Sequence, residues 1–141
     1  MANKSKTAIV TGASQGIGAG LVTAFLERGY AVVANARNMT QSSAFKPSEK
    51  LALVEGDIAK SATASTIAET AIAKFGSIDA LVNNAGIFLA KPFTSYTVED
   101  FRLLSSTNLA RGLHLHHSSC DQAHDRTELR RKHCQHYNHP G

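Results

Sequence analysis

Residues 7 to 18 read Thr7-Ala8-Ile9-Val10-Thr11-Gly12-Ala13-Ser14-Gln15-Gly16-Ile17-Gly18 (TAIVTGASQGIG). The apolar run Ala8-Ile9-Val10 has the make of a buried strand, and it meets Thr11-Gly12. Gly16 and Gly18 then open an amphipathic stretch in which Ile17, Leu21, Ala24, Phe25 and Arg28 fall at helical spacing, with Gly29 as the stop. A strand, a tight glycine turn and a helix with free leading amides form an anion site. The backbone N–H groups and the positive end of the helix dipole face what lies above the strand. Glycines admit a pyrophosphate where side chains would block it. The spacing is TGxxxGxG rather than GxGxxG.

Downstream, apolar strands keep alternating with helices. Ala31 to Ala34 is predicted as a second buried strand. Arg37 to Lys50 is polar, with at best a short helix. Leu51 to Val54 is a third strand, ending at Glu55-Gly56-Asp57. Ser61 is expected to cap a helix whose face holds Ile67, Ala68, Ala71, Ile72 and Phe75, and Gly76 ends it. Ile78 to Val82 is a fourth strand running into Asn83-Asn84-Ala85-Gly86. Thr97 then opens a helix bearing Phe101, Leu104 and Asn108. This β-α-β-(α)-β-α-β-α order predicts an α/β fold with a parallel sheet covered on both faces.

The bulk numbers fit one domain at most. The chain has 141 residues, 43% hydrophobic content and a net charge of +4 with scattered basic residues. No apolar run reaches the length of a membrane span, and the basic start lacks a signal-type apolar segment. These features predict a cytoplasmic protein with neither nucleic acid nor membrane as partner. The average conceals a break. Residues 1–112 hold no His and no Cys, whereas all seven His and both Cys lie in 113–141.

Several residues add to the glycine turn. At the end of the second strand stands Ala36, followed by Arg37, where an acid would accept bonds from the ribose hydroxyls of NAD. Without that acid, and with a guanidinium beside it, a 2′-phosphate is favoured, so NADP is expected over NAD. Asp57-Ile58 lies just past the third strand, and small residues follow the fourth. Asn108 sits inside a helix without a propensity reason to be there.

TGASQGIG, the Gly56-Asp57-Ile58 triplet, Asn83-Asn84-Ala85-Gly86 and Asn108 resemble, in order and spacing, the short-chain dehydrogenase/reductase family over residues 5 to about 110. The resemblance implies a partial Rossmann-type doubly wound parallel sheet, strand order 3-2-1-4, with later strands missing. It makes residues 1–112 the N-terminal half of an NAD(P)-binding domain. It further implies that Gly12, Ser14, Gly16, Ile17 and Gly18 line the cofactor phosphates and ribose. Asp57 and Ile58 would hold the adenine, and Asn84, Ala85 and Gly86 would lie along the nicotinamide ribose. Asn83 would tie the central strands, and Asn108 would support a water in the proton relay. By this likeness the chain derives from an oxidoreductase that moves hydride between nicotinamide and a carbonyl or alcohol.

The departure is as plain. The family's chemistry uses a Ser and a YxxxK pair. Here the residues four beyond Tyr30, Tyr96 and Tyr137 are Ala34, Asp100 and Gly141. Asn108 alone of the family's catalytic set is present, which predicts a truncated, inactive form. A residual dinucleotide-binding module is the alternative.

The tail, 113–141, reads as non-homologous. His114, His116, His117, Cys120, His124, Cys134 and His136 are of types that zinc takes, but their spacings match no standard site, so no metal is expected. Metal binding or a protein interaction through the tail is a third alternative. A frameshift explains more. Read one base out of frame, Lys132 to Asn138 (KHCQHYN) permits N-I-V-N-I-T-T, like the family's fifth strand. Cys120 to His124 (CDQAH) permits A-I-K-x-M, like its helix. A one-base gain or two-base loss near Ala110 to Leu113 is expected in the coding nucleotides. Without later strands the fourth strand becomes an open edge, and self-association or aggregation is expected.

Overall fold

The computed structural model describes residues 5–39 and 45–110. Four strands form one parallel sheet: β1 (Thr7–Thr11), β2 (Ala31–Ala36), β3 (Leu51–Glu55) and β4 (Ala80–Val82). Their order is β3-β2-β1-β4, the order expected. Ile9 faces Val33 on one side and Leu81 on the other, and Ala34 faces Leu53.

Alternation along the strands sends neighbouring side chains to opposite faces. Ile9, Val33, Ala52 and Val54 point to one layer, where they meet Ile58, Ala64, Ile67 and Ala71. Val10, Val32 and Ala34 point to the other, with Ala13, Val22 and Met39. Helix α1 (Gly16–Glu27) covers the second layer and α2 (Ser61–Thr70) the first. β1 and β2 are buried at every position, which explains why their centres, Ala8-Ile9-Val10 and Ala31-Val32-Val33-Ala34, are apolar on both faces.

The chain leaves β1 toward β2 and β3, then crosses back to lay β4 on the far side of β1. The reversal makes a crevice beyond the carboxyl ends of β1 and β4, where open α/β sheets take their ligands.

Several local expectations differ from the structure. β4 begins at Ala80 rather than Ile78, because Asp79 is held otherwise: its N–H donates to Thr7 O (2.8 Å), and its carboxylate accepts from Thr7 N (2.8 Å) and Ser77 Oγ (2.7 Å). Ser61 is the first residue of α2 and not its cap. Lys60 holds the cap position, with no side-chain capping bond. α2 widens into a π turn, Ala71–Phe75, which Gly76 ends in the left-handed region (φ 80°), as its sequence position implies. Ile17 is 76% exposed and belongs to the crevice rather than to the core face of α1, where Val22 is buried.

Helix α3 (Val98–Ser105) opens at Thr97 as expected. A reciprocal capping box forms it: Asp100 N donates to Thr97 Oγ1 (3.2 Å), and Thr97 N donates to Asp100 Oδ2 (2.8 Å). α3 buries no residue, and Phe101 stands exposed. A second π turn, Ser106–Ala110, follows it. The tail after residue 112, with its frameshift and metal readings, lies outside the described residues.

Candidate functional site: a polar cleft at the strand switch point

The cleft starts from the glycine turn. Gly12 (φ 66°) and Gly16 (φ 57°) take left-handed conformations that side chains resist. Gly18 answers to a different constraint. A Cβ there would lie 2.1 Å from the Gly12 carbonyl oxygen and 2.6 Å from the Asn84 amide nitrogen. Only a glycine lets α1 begin this close to the turn. At the helix start, Gln15 is extended (φ −159°), makes no side-chain capping bond, and no acid occupies the first turn. The leading amides therefore keep their positive field for an outside group.

The loop after β4 is fastened to this turn by two side chains. Thr11 Oγ1 accepts from Asn84 N (3.1 Å) and Ala85 N (3.0 Å), and donates to Val82 O (3.4 Å). Asn84 Nδ2 donates to Thr11 O and Gly12 O, both at 3.1 Å. The tie expected of Asn83 is thus made by its neighbour. Asn83 is exposed, since one residue of shift turns a side chain to the opposite side of an extended chain.

The opposite wall comes from the ends of β2 and β3. Ala36 is buried and Arg37 exposed. Gly56 N donates to Ala36 O (3.1 Å). Asp57 Oδ1 accepts from Ala59 N (2.9 Å), which bends the chain into α2.

These walls enclose an open cleft of about 560 Å³. Ten of the predicted residues line it: Gly12, Ser14, Gly16, Ile17, Arg37, Asp57, Ile58, Asn84, Ala85 and Gly86. Gly18 does not, because it is packed against the turn beneath. Asn108 also lies outside the lining. Its amide instead grips a lining residue: Ile87 N donates to Asn108 Oδ1 (3.0 Å), and Asn108 Nδ2 donates to Ile87 O (3.1 Å). The lining also takes in Gln15, Asn35, Asn38 and Ile87, which the sequence reading passed over. Asn35 had a signal, an amide within the apolar run of Ala31–Ala36.

Arg37 and Asp57 are the charged residues of the lining, on the wall formed after β2 and β3. Tyr30 and Tyr96 stand apart from it. Tyr30 packs edge-on against Phe25, and the Tyr96 hydroxyl donates to Leu89 O. Among the described residues no group of three His, Cys, Asp or Glu is placed to hold a metal, and no helix is long and apolar enough to cross a membrane.

The residues present fit a dinucleotide. Uncapped amides, two left-handed glycines and a Gly16 whose Cβ would meet nothing within 4 Å leave a polar cradle for an anion. Comparison with known proteins agrees. The family model described as short chain dehydrogenase matches residues 6–126, past the boundary drawn at residue 112. The chain is 33% identical over 112 residues to 3beta-hydroxysteroid dehydrogenase 1 of Eggerthella lenta, covering 75% of this chain and 43% of that protein. It is 35% identical over 109 residues to galactitol 2-dehydrogenase of Agrobacterium fabrum, covering 74% and 42%. A solved short-chain dehydrogenase/reductase (glucose/ribitol dehydrogenase) from Brucella melitensis superposes with a TM-score of 0.77 at 29% identity, covering 82% of this chain and 49% of that one. One from Streptomyces avermitilis gives 0.75 at 26%, covering 89% and 47%. The chain thus spans about half or less of the length of the relatives it matches. A family match over most of the chain, on a sheet of this order with its cleft at the switch point, has one reading: the chain belongs to the short-chain dehydrogenase family.

Proposed function

We propose that the cleft binds a nicotinamide dinucleotide, NADP in preference to NAD, and that residues 1–141 carry the cofactor half of an oxidoreductase site. One observation carries this reading. Ten residues from separate stretches of sequence meet in a single polar cleft at the C-terminal ends of the strands. Gly12, Ser14, Gly16 and Ile17 would hold the phosphates and ribose over the uncapped start of α1. Asp57 and Ile58 would hold the adenine. Asn84, Ala85 and Gly86 would border the nicotinamide ribose, with Asn108 orienting the wall through Ile87.

The NADP preference rests on Arg37. It lies on the cleft after a strand that ends in Ala36, so no carboxylate of that strand opposes a 2′-phosphate.

When bound, the nicotinamide would supply or accept a hydride, exchanged with a carbonyl or alcohol. The partner proton needs an acid–base group. No Tyr of the 141 residues has a Lys four positions on, and neither described Tyr lines the cleft. The chain as a polypeptide of these residues is therefore read as a binder without turnover.

Titrating the purified chain with NADPH and NADH, followed by nicotinamide fluorescence, tests the reading. NADPH is expected to bind about tenfold or more tightly, the worth of roughly 1.4 kcal/mol from one charge-assisted contact. Absence of binding to either form sinks it. Cofactor oxidation with a panel of carbonyl compounds is expected to stay at the buffer rate.

A further inference from the structure

Asn35 is the buried polar residue of the cleft that the reading above leaves without a task. It is 1% exposed and lies near the end of β2, in a strand that is otherwise Ala and Val. Asn is a poor strand former, and a buried amide is costly unless it is hydrogen-bonded. Its bonds show where it acts. Nδ2 donates to Val54 O at 2.9 Å and to Gly56 O at 3.1 Å. Both partners are acceptors, so only the NH₂ end of the amide satisfies them.

Val54 is the register partner of Asn35 on β3. Gly56 is the first residue past that strand, where the ladder gives out. It is held at φ +153°, and a Cβ there would stand 2.9 Å from the Thr63 side chain. This turn delivers Asp57 and Ile58 to the cleft. The main chain of Asn35 works in the other direction, since Ala13 N of the glycine turn donates to Asn35 O at 2.9 Å. One residue therefore fastens both turns.

We infer that Asn35 is a positioning residue for the purine end of the cleft: it locks the turn carrying Asp57 and Ile58 against the glycine turn, so that an adenosine-containing ligand meets a preformed wall. The inference rests on the dinucleotide reading for its ligand, but not for its local geometry.

Two variants and two measurements test it on the full chain. Asn35→Asp keeps the shape, removes both donors and sets a carboxyl against two carbonyl oxygens. Asn35→Ser keeps one shorter donor. ADP-ribose affinity is measured by calorimetry, and backbone amide exchange is followed without ligand. Asn35→Asp is expected to weaken ADP-ribose tenfold or more and to speed exchange at residues 56–59, while residues 8–11 of β1 stay protected. Asn35→Ser is expected to fall between this variant and the parent in both measurements. Should Asn35→Asp prevent folding, the Ser variant carries the test alone. Unchanged ADP-ribose affinity in a folded variant, or exchange raised evenly across the sheet, overturns the inference. If the parent chain itself ignores ADP-ribose, the dinucleotide reading fails, and the exchange measurement still decides whether Asn35 holds the turn.

Discussion

Gly18 and Gly20 sit two residues apart on α1 and answer to opposite forces. A Cβ on Gly18 would collide with the Gly12 carbonyl oxygen at 2.1 Å, and that atom is backbone that cannot swing aside. A Cβ on Gly20 would meet nothing within 4 Å. Gly18→Ala is therefore expected to destabilise by about 3 kcal/mol or more, at the upper end of overpacking effects. Gly20→Ala should stabilise by roughly 0.5–1 kcal/mol through reduced chain entropy in a helix. Urea midpoints of the two variants check the pair, and equal shifts of the same sign would contradict the packing argument. Arg37 offers a test of selectivity with little bearing on the fold, because its side chain is exposed. Arg37→Asp removes the counter-charge for a 2′-phosphate and adds a repulsive one. NADPH affinity should fall about tenfold or more, given 1.5–3 kcal/mol for a hydrogen bond to a charged group, while NADH holds or improves. Parallel titrations with the two cofactors measure it.

At the level of elements, α3 has a start that acid can undo. The Asp100 carboxyl is lowered from its usual 3.8 to about 2, first by its bond with Lys91, then by the Thr97 amide. Its folded value lies below its unfolded value. Its contribution is thus present above the unfolded value of 3.8 and is lost as pH falls through about 2. The Thr97 amide resonance should move as pH falls from about 4 through about 2, with the protection of the α3 amides, corrected for their intrinsic rates, falling over the same window. In Asp100→Asn that movement should vanish. The helix start at Thr97 was legible in the sequence, and the reciprocal bond from Asp100 is equally local, since Thr97-Val98-Glu99-Asp100 holds both partners within four residues. The strands were legible for a similar reason, since Ala8-Ile9-Val10 and Leu51 to Val54 are short apolar runs. Features set by distant partners were not. β4 starts late because Thr7, 72 residues away, takes the Asp79 carboxylate. Asn84 rather than Asn83 makes the tie because of Thr11 and Gly12. The π turns at Ala71–Phe75 and Ser106–Ala110 depend on how the helices close, and no single residue announces them. Most of the cleft was readable through the family resemblance, because TGASQGIG, Gly56-Asp57-Ile58 and Asn83-Asn84-Ala85-Gly86 are local motifs at strand ends. Asn35 was missed because its side-chain partners lie 19 and 21 residues on.

At the scale of the molecule, the two sides of the described sheet are covered unequally. β4 pairs with β1 and with no other described strand, and none of its three residues is fully buried. The stretch after it carries Phe88, Phe93 and Phe101, which are 86%, 92% and 69% exposed. Covering one such ring stabilises by roughly 2–3 kcal/mol, so three together supply about 6–9 kcal/mol. Association costs on the order of 4–15 kcal/mol in lost freedom. The two ranges overlap, which predicts reversible, concentration-dependent self-association of the 141-residue chain rather than a fixed oligomer. The most favourable difference, about 5 kcal/mol, corresponds to a Kd of a few tenths of a millimolar, so sedimentation velocity between roughly 0.05 and 1 mM chain should show the average mass rising with concentration. The double variant Phe93→Glu, Phe101→Lys removes two of the rings and should shift the boundary toward monomer at every concentration. Since neither residue lines the cleft, its NADPH affinity per chain should stay within about twofold of the parent, well under the tenfold that 1.4 kcal/mol represents. A parent chain that sediments as a monomer throughout and melts in one cooperative step would show that this face needs no cover.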